Sequence, residues 1–125
     1  MPYLSGGRDR SGIDCWGFVI LILKEEMGIK LFDYQYSDDS ELGGMIIEHI
    51  YEQFERVEQP KAGELILFGT KTDIPDHIGV YLGKNRFIHS IRGHGVIVSK
   101  LGVWKGKAYG YYRAKNADKD SSQRT

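Results

Sequence analysis

The hydrophobic pattern of this 125-residue chain changes its period near Pro60, and no other feature restricts the fold as strongly. Before that point apolar residues recur at helical spacing. After it they fall in short runs that alternate with polar residues or glycines. Helix patterns followed by strand patterns are typical of the α+β class. We therefore expect N-terminal helices packed on an antiparallel sheet of five or six strands.

Two helices are predicted in the first half of the chain. Asp14 is a good N-cap residue, and the dense apolar stretch that follows runs to Met27 before a stop signal at Gly28. Periodicity alone also permits a buried strand here, but the cap and the length favour a central helix with Cys15 in its first turn. A second, amphipathic helix is predicted over about residues 41–56. Its apolar face would consist of Ile46, Ile47, Ile50, Tyr51 and Phe54.

The second half of the chain predicts strands separated by turn signals. The predicted strands are Glu64–Phe68, His77–Leu82, Arg86–Ile91, Val96–Ser99 and Tyr109–Arg113. Residues 1–13, rich in glycine, serine and charge, are predicted to form an exposed loop. The length suits one domain over residues 1–115, and the polar residues 116–125 are predicted to be a disordered tail.

Charge and cysteine content exclude several classes of function. Lys+Arg and Asp+Glu both number 17, so the chain lacks the basic surplus of a nucleic-acid-binding protein. Its single cysteine allows neither an internal disulfide nor a thiolate metal cluster. The N-terminus shows no signal-peptide pattern, and the longest apolar run, Phe18–Leu23, is too short to span a bilayer. We expect a soluble chain with no export signal and no membrane insertion.

Cys15 is a candidate nucleophile because of its position. It directly follows Asp14, so it would lie where unpaired N–H groups and the helix dipole favour an anion and lower the pKa of a thiol. Gly12 and Gly17 leave room for a substrate to approach. A single cysteine is also often a buried structural thiol, so its neighbours in space must decide between the two interpretations.

Two histidines on the predicted strands are candidate partners for the thiol. His77 opens a strand after a Pro-Asp turn, and Gly79 leaves a gap beside it. If Gly83–Asn85 forms a three-residue hairpin loop, residue 79 opposes His89, and both imidazoles share a face within reach of each other. A two-residue turn would place the rings on opposite faces, so the geometry depends on the loop or on a bulge.

Cys15, His77 and His89 together have the order of a thiol nucleophile, its base and an orienting residue. Papain-like folds place the cysteine on a helix N-terminus and the two partners on later strands. The alternative for the two histidines is a metal pair. With one cysteine and no suitably placed carboxylate as third ligand, we predict no metal site and no cofactor.

The remaining polar and aromatic candidates are assigned to solvent or core. His94 lies in a glycine turn, and His49 lies on the wet face of the second helix. Arg8 and Arg10 are predicted to be solvated, although they could hold a substrate carboxylate. Trp104 is expected in the core or as a cleft wall.

Five short motifs, in the right order, resemble the NlpC/P60 family of cysteine peptidases. Gly6-Gly7 followed by residues 14–19 (Asp-Cys-Trp-Gly-Phe-Val) is similar to its Gly-Gly loop and Asp-Cys-x-Gly-aliphatic signature. Residues 60–68 and 76–83 resemble its Pro-x-x-Gly-Asp-Leu strand and its His-Val-Gly-Ile-Tyr strand. Phe87–Ser90 is similar to the strand that carries its third catalytic residue. Tyr3 falls where the family keeps a tyrosine beside the oxyanion site.

The resemblance implies a papain-like NlpC/P60 fold and a Cys-His-His cysteine peptidase, with Cys15 as nucleophile, His77 as base and His89 as orienting residue. The residues assigned to oxyanion stabilisation and substrate contact are Tyr3, Asp14 and Trp16. The implied substrate is a peptidoglycan stem peptide, cut at the γ-linked bond from D-glutamate to diaminopimelate. No cofactor is required.

Three further segments are similar to phage-tail members of the family, namely Gly7–Gly17, Glu26–Ile29 and Gly110–Arg113. Trp16 departs from the secreted cell-wall members, which commonly carry serine there. Because the motif begins at Tyr3, a usual N-terminal helix is expected to be absent or cut away. The expected location is the bacterial cytoplasm at synthesis or a phage virion, with action on the cell wall and other phage tail proteins as partners.

The main alternative is a tail-assembly or structural subunit that keeps the fold while its catalysis is weak or dispensable. Intact Cys15, His77 and His89 argue against a dead site. A third function, acyl transfer to or from lipids, would call for an apolar groove or a membrane segment, and the sequence predicts neither.

Overall fold

The computed structural model describes residues 1–71 and 74–115, and the predicted tail, residues 116–125, lies outside this part of the chain. The helices are α1 (Cys15–Met27), α2 (Asp39–Gln53) and the short α3 (Leu101–Trp104), which a 3₁₀ turn (Lys105–Lys107) follows. The strands are β1 (Arg8–Asp9), β2 (Gly12–Ile13), β3 (Phe54–Val57), β4 (Leu65–Phe68), β5 (His77–Gly83), β6 (Arg86–Ile91), β7 (Gly95–Lys100) and β8 (Ala108–Ala114). Within the described ranges, no helix is long and apolar enough to cross a membrane.

Six of the strands form one antiparallel sheet in the order β3-β8-β4-β5-β6-β7, which confirms the predicted α+β class and strand number. β4 lies inside the sheet and is fully buried. Its Leu65 and Leu67 belong to the main core cluster with α1 and α2, whereas Ile66 and Phe68 belong to a second cluster that Trp104 covers. The sheet is therefore packed on both faces, as the period of two of a strand allows.

The bounds of α1 agree with the prediction. Asp14 caps its start, and Gly28 ends it in the left-handed region with φ 66°, donating its N–H to the Lys24 carbonyl at 3.2 Å. Only glycine adopts this conformation without a steric cost. The helix packs against β5 and β6. It therefore carries Cys15 to the end of the sheet where β5 begins.

The second helix differs from the prediction at its end and on one face. It stops at Gln53, and residues 54–57 form edge strand β3, which pairs with β8 from the end of the domain. Helical periodicity could not reveal this, because the partner strand is distant in sequence. Ile47 and Tyr51, expected on the apolar face, are 48% and 55% exposed. Ile46 and Ile50 are buried as predicted, and Leu42 and Met45 complete the buried face of the helix.

The N-terminal segment, predicted as an exposed loop, contains the hairpin β1–β2 and is tied to the main sheet. Tyr3 forms a bridge with Ile13, and the Ser90 hydroxyl on β6 donates to the Ile13 carbonyl at 2.7 Å. A Cβ at Gly7 would lie 2.1 Å from the Gly12 carbonyl oxygen. The close approach of these two backbones therefore requires glycine at position 7.

The β5–β6 hairpin has the register expected from the sequence, but a different connection produces it. Val80 pairs with Ile88. The turn has two residues, Lys84 and Asn85, both with positive φ, and the register shifts at Leu82 as in a β-bulge. The bulge restores the alternation that a two-residue turn alone would have reversed. His77 and His89 consequently share one face of the sheet.

Candidate active site

Cys15 is the first residue of α1 and is 2% exposed. Asp14 before it has an extended backbone, and its Oδ1 accepts a hydrogen bond from the Gly17 N–H at 2.7 Å. This cap satisfies one of the N–H groups that the start of a helix leaves unpaired. The thiol therefore lies at the positive end of the helix dipole, where a thiolate is stabilised.

The Asp14 carboxylate is fully buried and accepts three hydrogen bonds besides the cap. Gly6 donates its N–H at 2.9 Å, Arg8 its guanidinium at 3.0 Å, and Tyr36 its hydroxyl. The Arg8 charge balances that of Asp14, which would otherwise oppose a thiolate at the adjacent residue. Burial, followed by the hydrogen bond to Asp14, raises the pKa of Tyr36 far above its usual value, so the phenol remains a neutral donor.

His77 and His89 are joined by a direct hydrogen bond between their rings. Nε2 of His77 lies 2.6 Å from Nδ1 of His89. Gly79 lies opposite His89, and a Cβ at this position would be 2.9 Å from the Phe87 ring. Glycine therefore leaves the space that the rings of Phe87 and His89 need on this face of the sheet. Since the bond uses Nε2 of His77, Nδ1 is the ring nitrogen through which His77 can take a proton from a thiol.

The turn before His77 is fixed by Asp76. The Thr70 N–H and hydroxyl donate to its two carboxylate oxygens at 2.8 and 2.7 Å. The Asp76 N–H donates to the Phe68 carbonyl at 2.8 Å. These bonds anchor the start of β5 to the end of β4, so the His77 side chain projects from a rigid position.

Both histidines are neutral near pH 7. Burial is the main cause that lowers the pKa of His77 to about 3, and the neighbouring His89 contributes. Burial also lowers the pKa of His89 to about 4. A neutral imidazole has one N–H and one lone pair, so one ring must donate to the other. A thiolate on Cys15 would favour protonation of His77, which couples the two groups as an ion pair.

Cys15 and His77 line one cleft of about 270 Å³. Tyr3 lines it as well, with the Arg92 guanidinium 5.1 Å from the centre of its ring. Trp104 forms a wall, and its ring centroid is 6.0 Å from that of His77. The cleft thus presents a thiol, an imidazole and a phenol to the same space, which is the set of groups that acyl transfer from an amide needs.

Asp14 and Trp16, which flank the cysteine in sequence, are not among the residues that line this cleft. Trp16 lies in the main core, where its ring contacts Tyr34 and Phe54 at centroid distances of 6.3 and 6.4 Å. His94 is exposed in its turn, as expected. Among the residues that the structure describes, no group of three or more His, Cys, Asp or Glu could hold a metal ion.

Sequence reasoning missed three side chains next to the site. Arg8, predicted to be solvated, bonds to the Asp14 carboxylate, and Tyr36 bonds to the same group from an irregular segment without a periodic signal. Ser99 on β7 places its hydroxyl 2.9 Å from Nε2 of His89. The alternation of β7 could have placed Ser99 on the face of His89, but only with the register of the β6–β7 pair already known.

Two curated relatives resemble the chain over most of its length. The murein DD-endopeptidase MepS/murein LD-carboxypeptidase of Escherichia coli K12 is 31% identical over 105 residues, which are 82% of this chain and 50% of that protein. The probable peptidoglycan endopeptidase LytE of Bacillus subtilis is 29% identical over 114 residues, which are 90% of this chain and 30% of that protein. The chain thus spans half or less of the length of these two relatives.

Among solved structures, the NlpC/p60 domain of the peptidoglycan hydrolase SagA matches with a TM-score of 0.60 and 24% identity. The match covers 89% of this chain and 84% of that one, and at this identity it shows the fold. The sequence model of the NlpC/P60 family matches residues 1–113, which include the cleft and both histidines. The chain therefore belongs to the NlpC/P60 family.

Proposed function

We propose that the chain is the catalytic domain of a cysteine peptidase that hydrolyses an amide bond in peptidoglycan stem peptides. The observation that carries the proposal is that Cys15, at the start of α1, and His77, bonded to His89, open into the same cleft. The names of the relatives, a murein endopeptidase and a probable peptidoglycan endopeptidase, support the class of substrate.

The proposed reaction starts with transfer of the thiol proton of Cys15 to Nδ1 of His77. The thiolate attacks the carbonyl carbon, and the resulting tetrahedral intermediate collapses with cleavage of the C–N bond. His77 returns its proton to the leaving amine. Water then gives a proton to His77 and attacks the thioester carbonyl. The C–S bond breaks, the acid is released, and His77 returns the proton to the thiolate of Cys15.

His89 is proposed to orient His77 throughout this cycle. When His77 is protonated, both of its ring nitrogens carry hydrogen, and Nε2–H is directed at Nδ1 of His89. The backbone N–H of Cys15 and the hydroxyl of Tyr3 are the proposed oxyanion donors. Tyr3 lines the cleft with the nucleophile, which supports its role.

Two finer assignments are also part of the proposal. We infer cleavage at the γ-linked bond between D-glutamate and diaminopimelate from the resemblance of the motifs to the NlpC/P60 family. We infer a phage-tail or prophage context from three segments that resemble phage-tail members of the family, namely Gly7–Gly17, Glu26–Ile29 and Gly110–Arg113. Mass spectrometry of virions purified after prophage induction tests the context. The protein should be present in washed particles, and its absence from them would remove the tail assignment.

The activity is tested by incubating Gram-negative peptidoglycan, and the free peptide L-Ala-γ-D-Glu-diaminopimelate, with the wild type and with Cys15→Ala. Products are identified by mass spectrometry. We expect the wild type to release diaminopimelate from the peptide and Cys15→Ala to release none, because the variant lacks the nucleophile. His77→Ala should be inactive as well. His94→Ala, which removes an exposed histidine from a turn, is the matched control and should keep wild-type activity.

Alkylation with iodoacetamide separates the negative outcomes, since Cys15 is the only cysteine. If neither substrate is cut although the thiol alkylates readily near neutral pH, the site acts on another acyl compound. If the thiol is inert as well, the chain is a structural subunit that retains the fold.

A further inference from the structure

The His77–His89 pair is hydrogen-bonded to a third group, the hydroxyl of Ser99. Nε2 of His89 lies 2.9 Å from the Ser99 Oγ, while its Nδ1 lies 2.6 Å from Nε2 of His77. Ser99 is on β7, where it pairs with Phe87, the residue two positions before His89 on β6. A line of hydrogen bonds therefore crosses three neighbouring strands and ends at the base of the proposed reaction.

The direction of this line follows from the protonation states that the reaction needs. A protonated His77 carries hydrogen on both ring nitrogens, so Nδ1 of His89 must accept the bond from His77. Neutral His89 then carries its own hydrogen on Nε2, which points at Ser99. The opposite tautomer of His89 would donate from Nδ1 and would force Nε2 of His77 to accept, which is incompatible with a protonated His77.

The surroundings of His89 make Ser99 the group that can select the tautomer. The rings of Phe87 and Trp104 pack around the His89 imidazole, at centroid distances of 4.5 and 5.2 Å. Neither side chain offers a conventional acceptor for an imidazole N–H. A buried N–H without an acceptor carries a free-energy cost, so removal of the hydroxyl would weaken the preference for the Nε2–H form.

We propose that Ser99 is a positioning residue that holds His89 in its Nε2–H tautomer, so that Nδ1 of His89 accepts from His77. Its catalytic consequence rests on the proposed function, but the tautomer itself is observable without any substrate.

The first test is ¹⁵N NMR of histidine-labelled protein at pH 7.5, in the wild type and in Ser99→Ala. We expect the wild-type spectrum to show His89 protonated at Nε2, and the Ser99→Ala spectrum to show a mixture of both tautomers. Val98→Ala is the matched control, because Val98 is the 51% exposed neighbour on the same strand. Identical His89 spectra in the wild type and Ser99→Ala would overturn the proposal.

The second test is a double-mutant cycle on kcat/KM for the stem peptide. Ser99→Ala should lower kcat/KM about tenfold, the effect of one lost hydrogen bond of ordinary strength. Ser99→Thr, which keeps the hydroxyl on a strand, should restore most of it. His89→Asn places an amide oxygen near the position of Nδ1 and has no tautomers. In that background, Ser99→Ala should therefore cost nothing further.

The results distinguish a positioning role from a structural one. A loss from Ser99→Ala that is equally large in both backgrounds would assign Ser99 to fold stability and contradict the proposal. If the wild type cuts no stem peptide, the proposed function fails by itself. The NMR spectra then still decide the role of Ser99, with the rate of Cys15 alkylation as the second measurement in place of kcat/KM.

Discussion

At the scale of single residues, the site depends on burial and on the use of specific ring nitrogens. His77 and His89 are almost or fully buried, at 7% and 0% exposure, so both are held neutral and must share hydrogen bonds. Their bond leaves Nδ1 of His77 for the thiol. Arg8 compensates the charge of Asp14 beside Cys15. Burial keeps the imidazoles neutral, whereas the available Nδ1 and the balanced charge of Asp14 favour transfer of the thiol proton to His77 within the cleft.

Burial of the two histidines predicts how stability depends on pH. Their pKa values are about 3 and 4 in the folded chain, below the ordinary value of 6.5 that applies after unfolding. The unfolded chain therefore binds protons that the folded chain excludes, so stability is complete above pH 6.5 and falls as pH is lowered toward 4. The loss should be at most about 1.4 kcal/mol per pH unit for each histidine, measured by urea unfolding at pH 7, 6 and 5.

Histidine variants separate this effect from the titration of carboxylates. The double variant His77→Gln/His89→Gln should lose less stability than the wild type between pH 6.5 and 5, a window above the ordinary pKa values of Asp and Glu. His94→Gln is the control for the loss of a histidine as such, because the His94 side chain is exposed. Equal slopes in all three proteins would show that the buried histidines are not responsible.

At the scale of elements, the site is assembled where α1, α2 and the start of β5 meet. Two adjacent glycines of α2 report on this contact. A Cβ at Gly43 would lie 2.3 Å from the Pro75 carbonyl oxygen, two residues before His77, whereas a Cβ at Gly44 would meet no atom within 4 Å. Gly43 therefore allows α2 to approach the turn that precedes His77. Gly44 only weakens the helix.

The glycine pair predicts opposite effects of one substitution at neighbouring positions. Gly44→Ala should stabilise the protein by about 0.5–1 kcal/mol, because alanine has the higher helix propensity. Gly43→Ala should destabilise it by about 1–3 kcal/mol through overpacking, and should also lower peptidase activity, since the turn before His77 must shift. Thermal unfolding and peptide hydrolysis of both variants test this. A Gly43→Ala protein as stable and active as Gly44→Ala would show that the contact is not needed.

At the scale of the whole molecule, one sheet is shared by two core clusters. Alternate residues of β4 belong to different clusters, with Leu67 in the main one and Phe68 in the second. The two tryptophans also divide, since Trp16 lies in the main cluster and Trp104 packs against the second. Neither cluster can lose its sheet strands without exposing the other, so we expect a single cooperative unfolding transition.

Single-tryptophan variants test this cooperativity. Trp104→Phe leaves Trp16 as the reporter of the main cluster, and Trp16→Phe leaves Trp104 as the reporter of the second. In each variant, urea transitions followed by tryptophan fluorescence and by far-ultraviolet circular dichroism should coincide. A fluorescence change of Trp104 at lower urea than the loss of secondary structure would show that the cover over the histidine pair opens independently.

The sequence by itself determined the features that local chemistry controls. The N-cap at Asp14 and the left-handed stop at Gly28 define α1, and the period of two after Pro60 predicts the strands of the sheet, apart from β3 at its edge. The motifs around Cys15 and His77 identified the family before the fold was known. Caps, turns and periodicity involve residues close in the chain, so they can be read without a structure.

Only the tertiary structure decided which distant groups meet. Edge strand β3 pairs with β8, Arg8 and Tyr36 converge on Asp14, and Ser99 on β7 bonds to His89 on the neighbouring strand β6. These contacts join segments that are distant in the chain. The sequence pattern of each segment, taken alone, predicts only a helix, a solvated loop or an exposed strand. Their partners are selected by close packing and by the need to satisfy buried polar groups, and both conditions exist only once the chain has folded.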